Sequence, residues 1–329
     1  MQKIIKMVVV LLITSTCWAQ SDQLLVDQYF SPYTGAALNL SAFHAYIYVD
    51  DTWFPSSENE ETVPWFVART LKLGAEELLS ELLMVVQHEI FGHGYRLREY
   101  HFSDVGYRIG IGYGSTGFLD SEFNTLPYPK RAAVAAAGME ANAIFSQQIR
   151  QKWITSDQVD RREATLYLIT TLDQSEYILG VEDDLMYMGN DVNAYVFDVN
   201  TWYGNNRLSK SKLGLYALWD YLDPSLYVGL YSMAKYLVNG APHLKMATFD
   251  VGNYKYIFCP RLLLAPFGPE FQLQNYLVTP GQKLWNVNVR YGNNSQIHSW
   301  GADIFLNQYG RMKIGRWATS FMYGNSHYF

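Results

Sequence analysis

The chain has 329 residues, with 25 Lys and Arg against 31 Asp and Glu, for a formal net charge of −6. An acidic chain with no basic block excludes the nucleic-acid-binding classes. Its length, with 49% hydrophobic residues, supports a substantial core as one large domain or two smaller ones.

Met1 to Ala19 reads as a secretory signal: Lys3 and Lys6 form a basic start, Met7 to Ile13 an apolar run, and Cys17-Trp18-Ala19 a cleavage site. Its removal takes two lysines and no acids, so the mature net charge is −8 and Cys259 is the one cysteine left. An intramolecular disulfide is therefore excluded. No later stretch offers the roughly eighteen uninterrupted apolar residues of a spanning helix, so no transmembrane helix is expected in the mature chain. The expected location is periplasmic or secreted.

Ser21 to Asn39 reads as irregular, with a turn at Ser31-Pro32-Tyr33-Thr34-Gly35. The β-formers Phe43, Tyr46 and Tyr48 predict a strand over Ser41 to Val49, and Pro55 to Thr62 predicts a loop. A long amphipathic run from Val63 to Tyr100 carries Leu71, Leu78, Leu79, Leu82, Leu83, Val86 and Ile90 at helical spacing. Gly74 is expected to break it, Gly94 to loosen its end, and Glu76, Glu77 and Glu81 to form a solvated face.

Within that run stands His88-Glu89-Ile90-Phe91-Gly92-His93. Two histidines with a glutamate directly after the first are the parts of a helix-borne zinc hydrolase, the imidazoles as ligands and Glu89 as general base. The familiar H-E-x-x-H places its histidines four apart, about 40° around a helix; five apart is about 140°. Convergence then needs a one-residue π-bulge, which is often found at functional sites. Gly92 is its expected place.

The hexapeptide is similar to the HEXXGH signature of the dipeptidyl peptidase III family of zinc exopeptidases, over six residues. From His88 to about Arg150 the layout resembles the site-2 proteases. After the histidine-glutamate helix come a glycine-rich strand segment and a helix containing Ala136-Ala137-Gly138-Met139-Glu140-Ala141-Asn142, similar to their A-A-G-P-x-A-N. Met139 stands where they have proline, and their aspartate loop has no clear match. These resemblances imply a zinc metallopeptidase.

Val105 to Gly117 reads as extended. Gly110, Gly112 and Gly114 either let a peptide approach for strand addition or simply form a hairpin on the helix. Pro129 to Ile154 predicts an alanine-rich helix that packs closely on the motif helix. Glu140, in its apolar stretch, is expensive to bury unpaired, which makes it the expected third zinc ligand, with an ion pair as the alternative. Asn142 is a candidate donor to substrate or to a developing oxyanion, or a buried bond to backbone.

Arg161 to Ile178 predicts a third helix. The polar segments Glu182-Asp183-Asp184 and Gly189-Asn190-Asp191-Val192-Asn193 fit calcium or a substrate amine, with turn chemistry preferred. Lys212 to Val238 reads as helix interrupted at Pro224. Asp220 and Asp223 there are alternative third ligands or helix caps, with Glu182, Asp183 and His101 next in line.

From Leu244 the period becomes two, with strands over Glu270 to Val278, Leu284 to Tyr291, Ser299 to Leu306 and Met312 to Tyr323. The 26 tyrosines and the terminal Phe329 fit an exported β-rich protein, and association with an outer membrane is a further expectation. The expected fold class is α+β: a helical metallohydrolase-like core over 20–243, then a C-terminal antiparallel sheet or small barrel over 244–329. The expected function is zinc-dependent hydrolysis of a peptide or protein substrate. The alternatives are a non-enzymatic envelope protein and a zinc-binding relic of a peptidase.

Overall fold

Ser31 starts the first helix. Its backbone is extended, its hydroxyl accepts the Thr34 amide at 3.4 Å, and Pro32 follows at the first helical position. The computed structural model describes residues 27, 29–54, 62–180, 190–294, 297–306 and 310–316. The expected leader and the acids Glu182 and Asp183 lie outside them.

Helix α1 spans Pro32–Trp53, so the segment expected as a strand at Ser41 to Val49 is helical. Ala36, Asn39, Phe43 and Asp50 are among its buried positions, at helical spacing. The β-propensity of three aromatics yields to that stripe, which packs on the helices that follow.

Helix α2 (Val63–Val86) runs unbroken through Gly74, around which a side chain would meet nothing within 4 Å. It continues into a π-helical segment, Gln87–His93, and then α3 (Gly94–Glu99). The chain leaves α3 at Tyr100 and His101, the latter at φ +68°. Glu77 is exposed, but Glu76 is fully buried, where it pairs with Arg161 and accepts the Tyr46 hydroxyl at 3.2 Å. A buried acid survives there because it is paired.

The glycine-rich segment is a hairpin of β1 (Gly106–Ile109) and β2 (Gly114–Gly117), followed by the short α4 (Asp120–Phe123). The alanine-rich helix α5 (Tyr128–Ser156) ends at Asp157, whose φ is +57°. It is the central element, touching α1, the π segment, α6 (Arg161–Gly180) and α7 (Asp191–Tyr203). Helices α8 (Lys210–Ala217) and α9 (Pro224–Asn239) are separated at Pro224, and Asp223 caps α9 by accepting the Ser225 amide at 2.9 Å. Strand β3 (Gln158–Asp160) pairs with β4 (His243–Lys245).

The remaining strands are β5 (Phe249–Val251), β6 (Tyr254–Ala265), β7 (Gly268–Val278), β8 (Leu284–Asn294), β9 (Ile297–Leu306) and β10 (Gly310–Arg316). Each pairs antiparallel with its neighbour in sequence, and β5 and β10 are the two edges. The sheet is therefore open among the described residues, not the small barrel held as an alternative. Strand β6 anchors it. Ile257 and Cys259 join one cluster with Phe145, Trp153 and Tyr167, while Leu262 and Leu264 join another with Val192 and Leu213.

Sheet polarity is inverted along β8. Asn286, Asn288 and Arg290 are buried while Trp285, Val287, Val289 and Tyr291 are exposed. Strict alternation in sequence is the same whichever face turns inward, so this orientation is a structural finding.

Candidate metal centre

The motif histidines converge because the helix opens into a π turn. The Gly94 amide bonds back five residues to the Glu89 carbonyl, and the His88 and His93 rings lie with centroids 4.9 Å apart. Buried Gln87 holds this segment in place. Its side chain donates to the Pro32 and Ala141 carbonyls at 2.9 and 3.0 Å and accepts from Asn39 at 3.1 Å. The Arg98 guanidinium donates to the Ile90 carbonyl at 2.8 Å.

Gly92 serves close approach. A Cβ there would sit 2.6 Å from the Ala137 carbonyl oxygen and from Gly138 Cα, and a Cβ on Gly138 would sit 2.2 Å from the His88 ring. The two helices therefore cross backbone to backbone, which seats His88 against α5.

The third group comes from α7. Asp191 Oδ2 lies 3.1 Å from Nε2 of both His88 and His93, and one ligand atom from each of the three residues falls within 4.8 Å of the others. Asn190 caps α7 by accepting the Val192 and Asn193 amides at 3.0 and 3.2 Å, the turn chemistry preferred for this segment. Its neighbour Asp191 points at the histidines. The Tyr177 hydroxyl accepts the Asn190 side-chain amide at 3.2 Å and the Asp191 backbone amide at 3.4 Å, fixing the start of the helix.

The far nitrogens of the imidazoles are also engaged. His93 Nδ1 lies 2.7 Å from the Val134 carbonyl, which can only accept, so Nδ1 carries a proton. His88 Nδ1 faces the Asp173 carboxylate at 3.4 Å, and Asn142 donates to that carboxylate at 2.9 Å. The Nε2 lone pair of a neutral His93 then faces a carboxylate oxygen, an arrangement that needs a cation between them, while His88 Nδ1 has both the Asp173 carboxylate and the Asn142 amide nitrogen at 3.4 Å. Without a metal, that cation is the proton. Burial lowers the His88 pKa, but bonds to Asp173 and Asp191 outweigh it and hold the ring well above its ordinary value. His93 is raised too, Asp191 overcoming burial. Burial pushes Asp191 up, but His93 and His88 bring it below the usual carboxylate range.

Glu89 is buried beside this group, and Thr116 on β2 donates to its Oε2 at 2.6 Å. A Cβ on Gly114 would lie 2.6 Å from Glu89 Cγ, so the hairpin glycine makes room for the carboxylate.

The other expected site residues lie elsewhere or act differently. Glu140 does not join the histidines; it takes Arg96 at 2.8 Å, and Glu99 holds the other side of that guanidinium at 2.8 Å. The ion pair satisfies the burial cost that singled Glu140 out. Asn142 sits behind His88, orienting Asp173 instead of facing a substrate. Asp223 is buried against Arg150 at 3.0 Å, and Asp220 accepts from Ser175 at 2.6 Å and from the Leu262 amide at 2.5 Å. His101 is exposed at the end of α3. Sequence points to none of Asp173, Tyr177 and Thr116, and to Asp191 only within the polar segment whose preferred reading is turn chemistry. The polar segment around Asn190 was the only signal for any of them.

No family model, curated protein or solved structure matches this chain.

Proposed function

We propose that this chain is an exported zinc-dependent hydrolase of peptide or related amide bonds, built on a helical metallohydrolase core. The observation that carries the reading is the convergence of His88, His93 and Asp191, with the far imidazole nitrogens already engaged, beside the carboxylate of Glu89. The donor set fits zinc: two imidazoles and a carboxylate are the protein ligands of a common class of catalytic zinc site. The 3.1 Å spacings from Asp191 are within a few tenths of an ångström of the edge of about 3.4 Å that metal–ligand bonds of about 2.1 Å make in a tetrahedron. The Val134 carbonyl and Asp173 act as the partners that fix ring orientation in such sites.

Zinc, when bound, supplies Lewis acidity and brings the pKa of a coordinated water down to about 7. Glu89 takes the proton of the attacking water and delivers it to the leaving nitrogen, as one carboxylate serving first as base and then as acid. Thr116 holds that carboxylate in one orientation between the two transfers. The same donor set serves iron(II) oxygenases; a base placed one residue after a ligand favours hydrolysis.

Elemental analysis of the untagged protein tests the centre. About one zinc per chain is expected, lost in His88→Ala and in His93→Ala. Iron in its place, or a folded wild type with no metal, would end the zinc reading. Glu89→Gln should keep the metal and abolish cleavage of a mixed peptide library; near-normal turnover would remove Glu89 from the mechanism.

A further inference from the structure

Soluble antiparallel sheets turn apolar side chains inward and polar ones to water. Strands β8 and β9 do the reverse. Asn286, Asn288, Arg290 and Asp303 are at most 7% exposed, while Trp285, Val287, Val289, Tyr291 and Trp300 are 37% to 50% exposed. The register assembles the exposed residues into one surface: Val287 lies opposite Ile304, Val289 opposite Ala302, and Tyr291 opposite Trp300. No described side chain on this face of β7, β8 and β9 carries a formal charge. Its one polar amide, Asn275, is satisfied within the sheet, accepting from Tyr256 at 2.7 Å and donating to the Val287 carbonyl at 3.0 Å.

The order of residues identifies what covers the face. Along β8 the sequence outward is aromatic, aliphatic, aliphatic, aromatic, and Trp300 extends the aromatic end onto β9. Protein-binding patches concentrate their aromatic anchors at the centre. Lipid-facing sheets place them at the rims, with the indole N–H and phenol O–H at headgroup depth. Trp285 and Tyr291 are six residues apart, about 20 Å at the rise of a strand. A neutral face on a chain of net charge −6 also matches uncharged acyl chains better than a charged partner.

We propose that the exposed face of β8 and β9 seats on the acyl chains of a zwitterionic phospholipid layer. The sheet lies against one leaflet and does not cross it, because its described edges β5 and β10 carry strand backbone that hydrocarbon would leave unpaired. This contact is independent of the metal centre.

The test is flotation of the full chain with vesicles of phosphatidylcholine and phosphatidylethanolamine. The wild type should float. Val287→Glu/Val289→Glu should reduce the bound fraction at least roughly tenfold, as expected for charges on a lipid face, with unchanged thermal unfolding. A conservative second variant covers the case in which the charged one fails to fold. Lipids brominated on their acyl chains should quench the wild-type tryptophan fluorescence and quench Trp285→Phe/Trp300→Phe clearly less. A wild type that stays with the soluble fraction overturns the proposal. So does flotation or quenching that neither variant alters. Dimerisation without vesicle binding, abolished by the two glutamates, would give the face to a second copy of the chain instead.

Discussion

Two buried carboxylates separate structural charge from site charge in this molecule. Asp223 faces Arg150, whose guanidinium also donates to the Tyr167 hydroxyl at 2.8 Å and to Gln274 at 2.8 Å, while the Tyr167 hydroxyl donates back to Asp223. Every acceptor in that network meets a donor that carries its own proton, so the charge is closed. Asp191 faces two imidazoles whose far nitrogens are turned to other acceptors. Its charge is met only by a cation that the chain recruits, a proton or a metal. The burial of an acid therefore says little about function; what its partners do with their remaining hydrogen-bonding atoms says more.

The largest effect should come from breaking the closed network. Arg150→Met leaves Asp223 buried without its counter-ion, and loss of one partner of such a pair costs about 3–5 kcal/mol. Denaturant unfolding of metal-free protein measures it. A cost under about 1 kcal/mol would mean that Asp223 reaches water and the contrast with Asp191 is false.

Next comes the choice of third ligand. Asp191→Asn should weaken zinc binding at least about 100-fold, beyond the 10–100-fold typical of changes outside the ligand shell. Glu140→Gln should leave affinity nearly unchanged, because its partner is Arg96. Competition titration of the two variants side by side decides it, and the reverse ranking would restore Glu140.

This pair also shows where the sequence stops being legible. The five-residue histidine spacing required a π distortion, and the π segment is there, because convergence of two side chains is a local property of one helix. Alternation likewise located β7, β8 and β9. The third group is not local: Asp191 is brought to the histidines by α7 crossing α5, and no motif surrounds it. The cost of burying an acid points to Glu140, but its partner Arg96 comes from a different helix, which no local pattern reveals. The α1 segment failed for a related reason. Phe43, Tyr46 and Tyr48 carry strand propensity, yet the buried stripe through Ala36, Asn39, Phe43 and Asp50 shows which period the tertiary contacts selected.

The recruited cation can be read from how the pH dependence of stability changes with metal. In metal-free protein the His88 and His93 values are raised, so their contribution is full below about pH 6.5 and is lost as pH rises through the folded values. Zinc needs both rings deprotonated, so its stabilisation grows as pH rises. Each proton changes stability by about 1.4 kcal/mol per pH unit in the window where the two states differ. Thermal unfolding in that window should show stability falling with pH in chelator and nearly level with zinc, whose growing stabilisation offsets the protons the rings lose. Parallel slopes would mean that zinc does not take the place of those protons.

The smallest predicted effect tests the hairpin's part in the site. Thr116 gives Glu89 a short side-chain hydrogen bond, at 2.6 Å, and Gly114 makes the room for it. Thr116→Val keeps the shape and removes the donor. The ligands of the metal are untouched, so zinc content and affinity should stay at wild-type levels. The carboxylate loses an orienting bond worth about 1 kcal/mol, which corresponds to a roughly fivefold fall in kcat. KM should change little, since the hydroxyl is spent on Glu89 and not on substrate. Thr116→Ser restores the donor and should recover most of the rate. A fall in zinc affinity instead of kcat would mean that the hairpin supports the ligands and not the base. Equal rates for the valine and serine variants would mean that Glu89 is held by its burial alone.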